Sequence, residues 1–381
     1  MDLIVYDKQF NPLKLVDIYD SLIWTERLYS PGDFELVVRP STEALQLFAE
    51  GNYVWNREAK EQYVENSEEK ILRKLMIIEK NELQTDPEEG NKLIVSGRSL
   101  ESILDRRIVW KQTEINSAFQ TAVQRLLNEN IINPDSAHGG TNRKILNFKF
   151  VSSTDPIVTA LTLKAQYTGD VLLDVLNNNC KEFKIGYRIE LDDDNKFVFQ
   201  LYAGKDRSYN QTANTYVCFR SEFDNLLNSN YKHSMDEYKN ITHIGGEGEG
   251  TDRIYANYFV GNSEPSGLDR KELFTDARDL SKSTYNEDGT EKTLSDAEYE
   301  AILKERGTEK LAECKITTEF EAEIETTQQY KFKEDFDLGD KVQIVNEYGI
   351  EGVALITEVV RSVDQDGFKT YPAFTIISNE T

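Results

Sequence analysis

The chain has 381 residues, with 44 Lys and Arg against 68 Asp and Glu, a formal net charge of −24 at pH 7. That charge repels phosphate backbones through space and excludes a protein that grips nucleic acid with a broad basic face. Hydrophobic residues at 39% and aromatics at 10% lie in the globular range, the length suits two to four folding units, and no window nears the roughly 18 apolar residues of a membrane helix.

The first hundred residues read as antiparallel sheet. Residues 3–6 and 22–28 carry apolar side chains with a period near two. Ser30-Pro31-Gly32-Asp33 has type II turn chemistry, Pro setting φ at about −65° and Gly taking positive φ, and leads into a strand at 34–38. Further strands are expected at 52–57, 72–80 and 92–96, with the polar segment 58–70 as a loop and a short helix capped by Ser99. Together they suggest a small barrel.

The middle changes character. Phe119, Ala122, Val123, Leu126 and Leu127 follow the spacing of an amphipathic helix, which the Pro, Gly and Asn of 133–143 break. A second helix has Thr168 as its expected N-cap and Leu172, Val175 and Leu176 facing inward. Tyr187, Ile189 and Leu191 then alternate with polar residues, Asp193-Asp194-Asn195 turns, and Phe197, Phe199 and Leu201 alternate back. This is an α/β unit.

Residues 262–293 are polar and rich in turn formers. Ser295 and Glu298 follow with capping-box spacing, Leu294 and Tyr299 with hydrophobic-staple spacing, and Gly307 stands where a C′ glycine would end the helix. After Cys314 the chain reads as sheet again, with Ile316, Thr318, Phe320, Ala322 and Ile324 on one face and Glu319, Glu321, Glu323 and Glu325 on the other. Strands at 341–345, 353–363 and 368–377 turn through Tyr348-Gly349 and through Asp364-Gln365-Asp366-Gly367.

The fold class that results is mainly β with α+β insertions: two antiparallel β-barrels and an interposed α/β region. The expected division is a first barrel over 1–112, an α/β domain over 113–215, a second barrel from 216–261 and 311–381, and a helical insertion at 262–310 packing on the α/β region.

Candidate chemistry is sparse. Gly245-Gly246-Glu247-Gly248-Glu249-Gly250 invites a phosphate-loop reading, but its two glutamates repel an anion and no Lys-Ser/Thr follows, which favours a tight structural turn. His138, His233 and His243 have no neighbours at metal-ligand spacing, and Cys180, Cys218 and Cys314 read as isolated thiols. The aspartates at 192–194 and 364–366 could offer oxygens to Ca²⁺, but hairpin turns explain them. Carboxylate pairs suited to glycoside hydrolysis are abundant by chance among 68 acids. No catalytic residue, metal or cofactor is expected.

Several stretches together resemble one family, the tail-hub proteins of long-tailed phages, a fold shared with the N-terminal part of tail-associated lysins and with contractile-tail baseplate hubs. They are Trp24-Thr25-Glu26-Arg27 with Ser30-Pro31-Gly32-Asp33-Phe34-Glu35-Leu36, then Tyr238-Lys239-Asn240 before the glycine loop and Arg253. Arg270-Lys271-Glu272-Leu273-Phe274, Asp276-Ala277-Arg278-Asp279-Leu280, Arg306-Gly307 and Asp335-Phe336-Asp337-Leu338-Gly339-Asp340 follow in the same order.

The resemblance implies tube-like barrels, a structural glycine loop and a homotrimeric ring at the distal end of the virion tail. Six barrels would then meet the sixfold tail tube and distal tail protein, while the other side meets a threefold tip with its receptor-binding proteins. Tape measure protein and DNA would leave through the opening, without specific DNA binding. The row Glu319, Glu321, Glu323, Glu325 is the candidate acidic channel wall; a solvated outer face is the plainer reading. Residues 1–7 lack signal-peptide features, so synthesis in the host cytoplasm is expected, and the chain ends soon after its last strand, so cell-wall cleavage is expected to reside elsewhere. A receptor-binding tip module and a cell-wall hydrolase are the alternatives.

Overall fold

The computed structural model describes residues 1–65, 68–88, 90–223, 225–226, 228–285, 291–323, 329–349 and 351–377. They form two compact units, residues 1–230 with 320–381, and residues 231–319.

In the larger unit the first β region is a ladder running through strands Pro12–Val16, Leu3–Tyr6, Tyr53–Glu65, Glu68–Asp86, Gly90–Ser99, Asp33–Val38 and Ser21–Arg27, each antiparallel to the next. Alternate residues turn inward because a pleated strand sends successive side chains to opposite faces. Leu3, Val5, Leu22, Trp24, Phe34, Leu36 and Val95 fill that core, and Trp24 lies directly across from Phe34 with ring centroids 6.2 Å apart.

The ladder does not stop there. Strand Ser21–Arg27 pairs on its other side with Glu351–Asp364, which pairs in turn with Lys341–Val345 and Gly367–Ile377. These strands enclose a second core of Leu28, Phe219, Phe336, Leu338, Ile344, Ile356 and Phe374. Among the described residues no pairing joins Pro12–Val16 to Ser21–Arg27. Among the described residues neither expected barrel is closed: the two regions form one continuous sheet around separate cores, because the strand that could have closed the first region is already paired to the second.

The α/β region packs helices Phe119–Leu127 and Leu172–Phe183 on a hairpin of Gly186–Leu191 and Phe197–Tyr202. Phe119, Val123, Leu126, Leu172, Leu176, Ile189 and Phe199 meet there, as the helical and period-two patterns require. Strand Phe148–Val151 adds parallel to Phe197–Tyr202.

The smaller unit has a three-stranded sheet with Ile241–Gly245 in the middle, antiparallel to Tyr255–Phe259 and parallel to Glu272–Asp276. Helix Asp296–Glu313 covers one face through Tyr299, Leu303, Gly307 and Leu311. The expected capping box is present: the Ser295 hydroxyl accepts from the Glu298 N–H at 3.3 Å, and the Glu298 carboxylate accepts from the Ser295 N–H at 2.8 Å.

Five local expectations change. Gly32 does not take positive φ. It is glycine because a Cβ there would stand 2.2 Å from the Thr25 carbonyl oxygen. Ser99 is the N-cap position of the expected short helix, a 3₁₀ helix over Leu100–Arg106, but its hydroxyl caps no helix N–H and accepts instead from the Gly32 N–H at 2.8 Å. Residues 58–65 and 68–70 of the polar segment are no loop but belong to the paired strands Tyr53–Glu65 and Glu68–Asp86, Lys60 opposite Arg73 and Glu65 opposite Glu68; a sequence of mostly polar residues leaves no period-two signal. Thr168 lies before the second helix, whose N-cap is Val171, and its N–H donates instead to Asp170 at 2.8 Å. Residues 272–276, inside the polar stretch, are a strand.

Gly307 is the sixth and most informative change. The helix continues through it to Glu313, and a Cβ there would lie 2.5 Å from Ile244 Cδ1 and 2.9 Å from Thr242 Cγ2. The glycine therefore lets the helix approach the sheet. Ala favours a helix interior over Gly by about 1 kcal/mol, but overpacking costs about 1–3 kcal/mol, so Gly307→Ala is expected to lower stability by about 1 kcal/mol despite its propensity. Urea unfolding measures the sign, and a stabilised variant would refute the packing account.

Candidate functional site

The motifs quoted from the sequence assemble into separate knots of charge and close packing. The first is built on Ser21–Arg27. The inward row Leu22, Trp24 continues into Glu26, which is fully buried. One Glu26 oxygen accepts from Lys74 Nζ at 2.8 Å and the other from Arg361 Nη2 at 2.6 Å. Burial alone would raise this carboxyl, yet the charges of Lys74, Arg361 and Lys333 outweigh it and hold the group well below the usual carboxylate range. Arg27, on the opposite face, forms ion pairs with Asp33 and Glu358 and donates to the Pro31 carbonyl at 3.1 Å. The Trp-Thr-Glu-Arg and Ser-Pro-Gly-Asp motifs thus fasten the first β region to strand Glu351–Asp364.

Asp335 to Asp340 forms the next knot. Phe336 and Leu338 enter the second core, while the buried Asp340 carboxylate accepts from Lys205 N at 2.6 Å, Arg207 Nε at 2.6 Å and Asp337 N at 3.0 Å. Its glycine, Gly339, has φ +85° and lies backbone to backbone against Gly204.

In the smaller unit the glycine loop meets Arg253. Gly245 has no side chain where the Arg253 guanidinium lies, and a Cβ there would be 2.6 Å from Cζ. That guanidinium donates to Gly245 O at 2.8 Å, Gly246 O at 3.1 Å and Asp276 Oδ1 at 2.6 Å. Gly246 faces Tyr299, whose hydroxyl accepts from Glu247 N and donates to Leu280 O, both at 2.7 Å. Gly248 has φ +100° and packs on the Asp252 carbonyl, whereas Gly250, at φ +57°, has open space around it. Arg306 reaches Asp279 at 3.0 Å. The loop's first two glycines, Gly245 and Gly246, thus make room for the arginine and tyrosine beside them.

The remaining candidates are dispersed. The Asp192 carboxylate accepts from Asp194 N and Lys196 N, and Asp364 accepts from Asp366 N, so both aspartate runs serve their own turns. His138 lies 2.7 Å from Asp135, His243 stacks on Tyr255 with centroids 4.7 Å apart, and His233 lies in strand Asn228–Ser234. Cys180 and Cys218 are buried and Cys314 is half-buried; all three are free. Among the described residues no group of three or more His, Cys, Asp or Glu could hold a metal ion. Glu319, Glu321 and Glu323 belong to strand Thr317–Glu323, but their side chains, and Glu325 altogether, lie outside the described residues.

The family model for the siphovirus ReqiPepy6 Gp37-like protein matches residues 2–374, nearly the whole chain. The chain belongs to this family. The resemblance to siphovirus tail proteins drawn from its motifs therefore holds. No curated protein matches it in sequence. Its fold is shared with a tail protein from Neisseria meningitidis MC58, at 14% identity and a TM-score of 0.54, covering 98% of this chain and 96% of that one. The 43 kDa tail protein of prophage MuSo2 from Shewanella oneidensis is similar at 12% identity and a TM-score of 0.52, with 99% and 98% covered. Prophage tail protein gp18 from Listeria monocytogenes EGD-e has the same identity and TM-score, with 100% and 95% covered.

Sequence reasoning missed the partners of Glu26 and Arg253. A signal for Glu26 existed: an acid at inward parity in a strand otherwise filled by Leu22 and Trp24 must find a cation. Nothing local marks Arg253, because its acceptors are two backbone carbonyls of the loop and the carboxylate of Asp276, 23 positions on.

Proposed function

We propose that this family member is a non-enzymatic structural hub of the phage tail. Three copies form a ring at the distal end of the tail, joining the sixfold tube and distal tail protein to a threefold tip and leaving a passage for tape measure protein and DNA. The observation that carries the reading is the pair of β regions in one unit, each with its own core, held in register by the Ser21–Arg27 and Glu351–Asp364 pairing and by the Glu26 ion pairs. Two such modules per copy give six per trimer, the number a sixfold tube presents. In this reading the open edge at Pro12–Val16 is completed by a neighbour in the assembly, which is how two tube-like barrels arise from one continuous sheet. The division into 1–112, 113–215, 216–261 with 311–381, and 262–310 describes the modules of that ring, and the glutamate row 319–325 lines its passage.

Native mass spectrometry of the chain alone and mixed with its distal tail protein tests the ring. Three copies per complex are expected in the mixture; one copy per complex would sink it.

A further inference from the structure

On a chain of net charge −24, one depression of about 320 Å³ in the larger unit gathers three arginines, Arg106, Arg107 and Arg143, beside Ile108, Trp110 and Asn142. Among the described residues none of the three forms an ion pair. Two are instead fixed by uncharged acceptors. Arg107 donates through Nε to Arg143 O at 3.0 Å and through Nη1 to Arg106 O at 2.8 Å. Arg143 donates to His138 O and Ile108 O, both at 2.7 Å, and to Asn130 Oδ1 at 3.2 Å. Burial, and then the neighbouring Arg106 charge, lowers the Arg107 guanidinium; burial, and then Arg107, lowers Arg143. Arg106 is exposed, and its guanidinium makes no hydrogen bond among the described residues. Asp105 also lines the depression, but its carboxylate accepts from Arg98 at 3.1 Å.

The surroundings are built to hold this arrangement. Helix Phe119–Leu127 runs into one π turn over Asn128–Ile132, and that turn delivers the buried Asn130. Its amide donates to Leu126 O at 2.9 Å, and its oxygen accepts from Trp110 N at 3.1 Å as well as from Arg143. Arg143 in turn lies over the Trp110 ring at 4.9 Å. Carbonyl and amide acceptors orient guanidinium groups without neutralising them. The positive charge is left for something else.

We infer that this depression binds a phosphoryl group. Three guanidinium charges around one small depression suit a doubly charged group with three or more oxygens better than a single carboxylate with two. Among the described residues, Arg107 Nη2, Arg143 Nε and the Arg106 guanidinium donate to no acceptor, and guanidinium forks match phosphate oxygens bidentately. Trp110, 53% exposed at the rim, offers an apolar wall to whatever carries the phosphoryl group. The chain's overall negative field opposes anions at long range but is screened beyond about 10 Å in 0.1 M salt, so the site acts by short-range contact. The phosphoryl group can be inorganic phosphate or a terminal phosphomonoester.

The test is titration of the full chain with inorganic phosphate and, separately, with methyl phosphate, at constant ionic strength set by sodium chloride. Calorimetry and tryptophan fluorescence are read together, and Trp110→Phe separates the signal of the exposed Trp110 from those of the buried Trp24 and the half-buried Trp55. Saturable binding is expected for at least one probe, and the stronger of the two identifies the source. Arg106→Gln, which breaks no side-chain hydrogen bond or ion pair among the described residues, is expected to weaken it about tenfold, the loss of one charge-assisted contact, with Tm unchanged. No saturation beyond the chloride control, an unaffected Arg106→Gln variant, or tighter binding of a glutamate-rich peptide than of either phosphate would each overturn the inference.

Discussion

Glu26→Ala is expected to lower the unfolding free energy of the larger unit by about 3–5 kcal/mol, because it leaves Lys74 and Arg361 charged and without their shared partner in the interior. For a unit of this size that is a fall in Tm on the order of 10 °C. The loss belongs to the broken set, not to the absence of charge. Replacing Glu26, Lys74 and Arg361 together by Leu and Met is therefore expected to recover most of the stability, since a buried ion pair and a well-packed apolar set differ little in free energy. Thermal and urea unfolding of the single and triple variants measures both effects, and a single variant within about 1 kcal/mol of the parent would refute the ion-pair account.

The same carboxylate sets a pH dependence. Glu26 titrates well below its ordinary value of 4.5 in the fold, so the unfolded chain takes up its proton first as pH falls. Its contribution is fully present above the ordinary carboxylate range and is lost progressively as pH drops from there toward the depressed value. In the Glu26→Ala variant this part of the acid-induced loss is expected to be missing, so the stability difference between parent and variant narrows in acid.

Gly204→Ala is the second large effect. A Cβ at 204 would stand 1.9 Å from both the carbonyl carbon and oxygen of Gly339 and 2.4 Å from Asp340 N. These are backbone atoms, which cannot rotate aside as a side chain can. The chain beyond Gly204 is bound to the same segment, with Lys341 N donating to Lys205 O at 2.9 Å and Arg207 N to Lys341 O at 2.7 Å. Relief of the clash must separate these strands and disturb the Asp340 bonds to Lys205 and Arg207. Overpacking of about 1–3 kcal/mol plus about 1 kcal/mol for each hydrogen bond lost gives a destabilisation of about 3 kcal/mol or more. Gly169→Ala is the control: φ is +79° with nothing near, so only the left-handed backbone cost of about 1–2 kcal/mol applies. Equal losses in the two variants would mean that the Gly204 contact is not tight.

The two variants also show where sequence reading stops. Hairpins at 21–38, 186–202 and 351–377 were legible, because alternation and turn residues lie within a few positions of one another. The capping box at Ser295 was legible for the same reason. Gly307 was misread as a helix end because, seen locally, a glycine after Ile302 and Leu303 has the form of a C′ residue. Its real cause is Thr242 and Ile244, far off in the chain. Gly32 was misread in the same way, its constraint being the Thr25 carbonyl rather than its own φ.

The family resemblance rested on motifs whose order could be read but whose purpose could not. Arg253, Asp276, Asp279, Arg306 and Gly307 come from three separate stretches and meet around one sheet and helix. Glu26 and Arg361 are 335 positions apart, and Arg27 and Glu358 are 331 apart.

By itself the sequence determined the strand and helix patterning, the order of sheet, α/β and sheet, and the excess of negative charge, because each is a property of neighbouring residues or of composition. Only the tertiary structure decided that strand Ser21–Arg27 joins the two β regions, leaving neither closed among the described residues, and that a buried glutamate and three unneutralised arginines lie where they do. Pairing and burial depend on which distant segments come within a few ångströms, and no local pattern carries that distance.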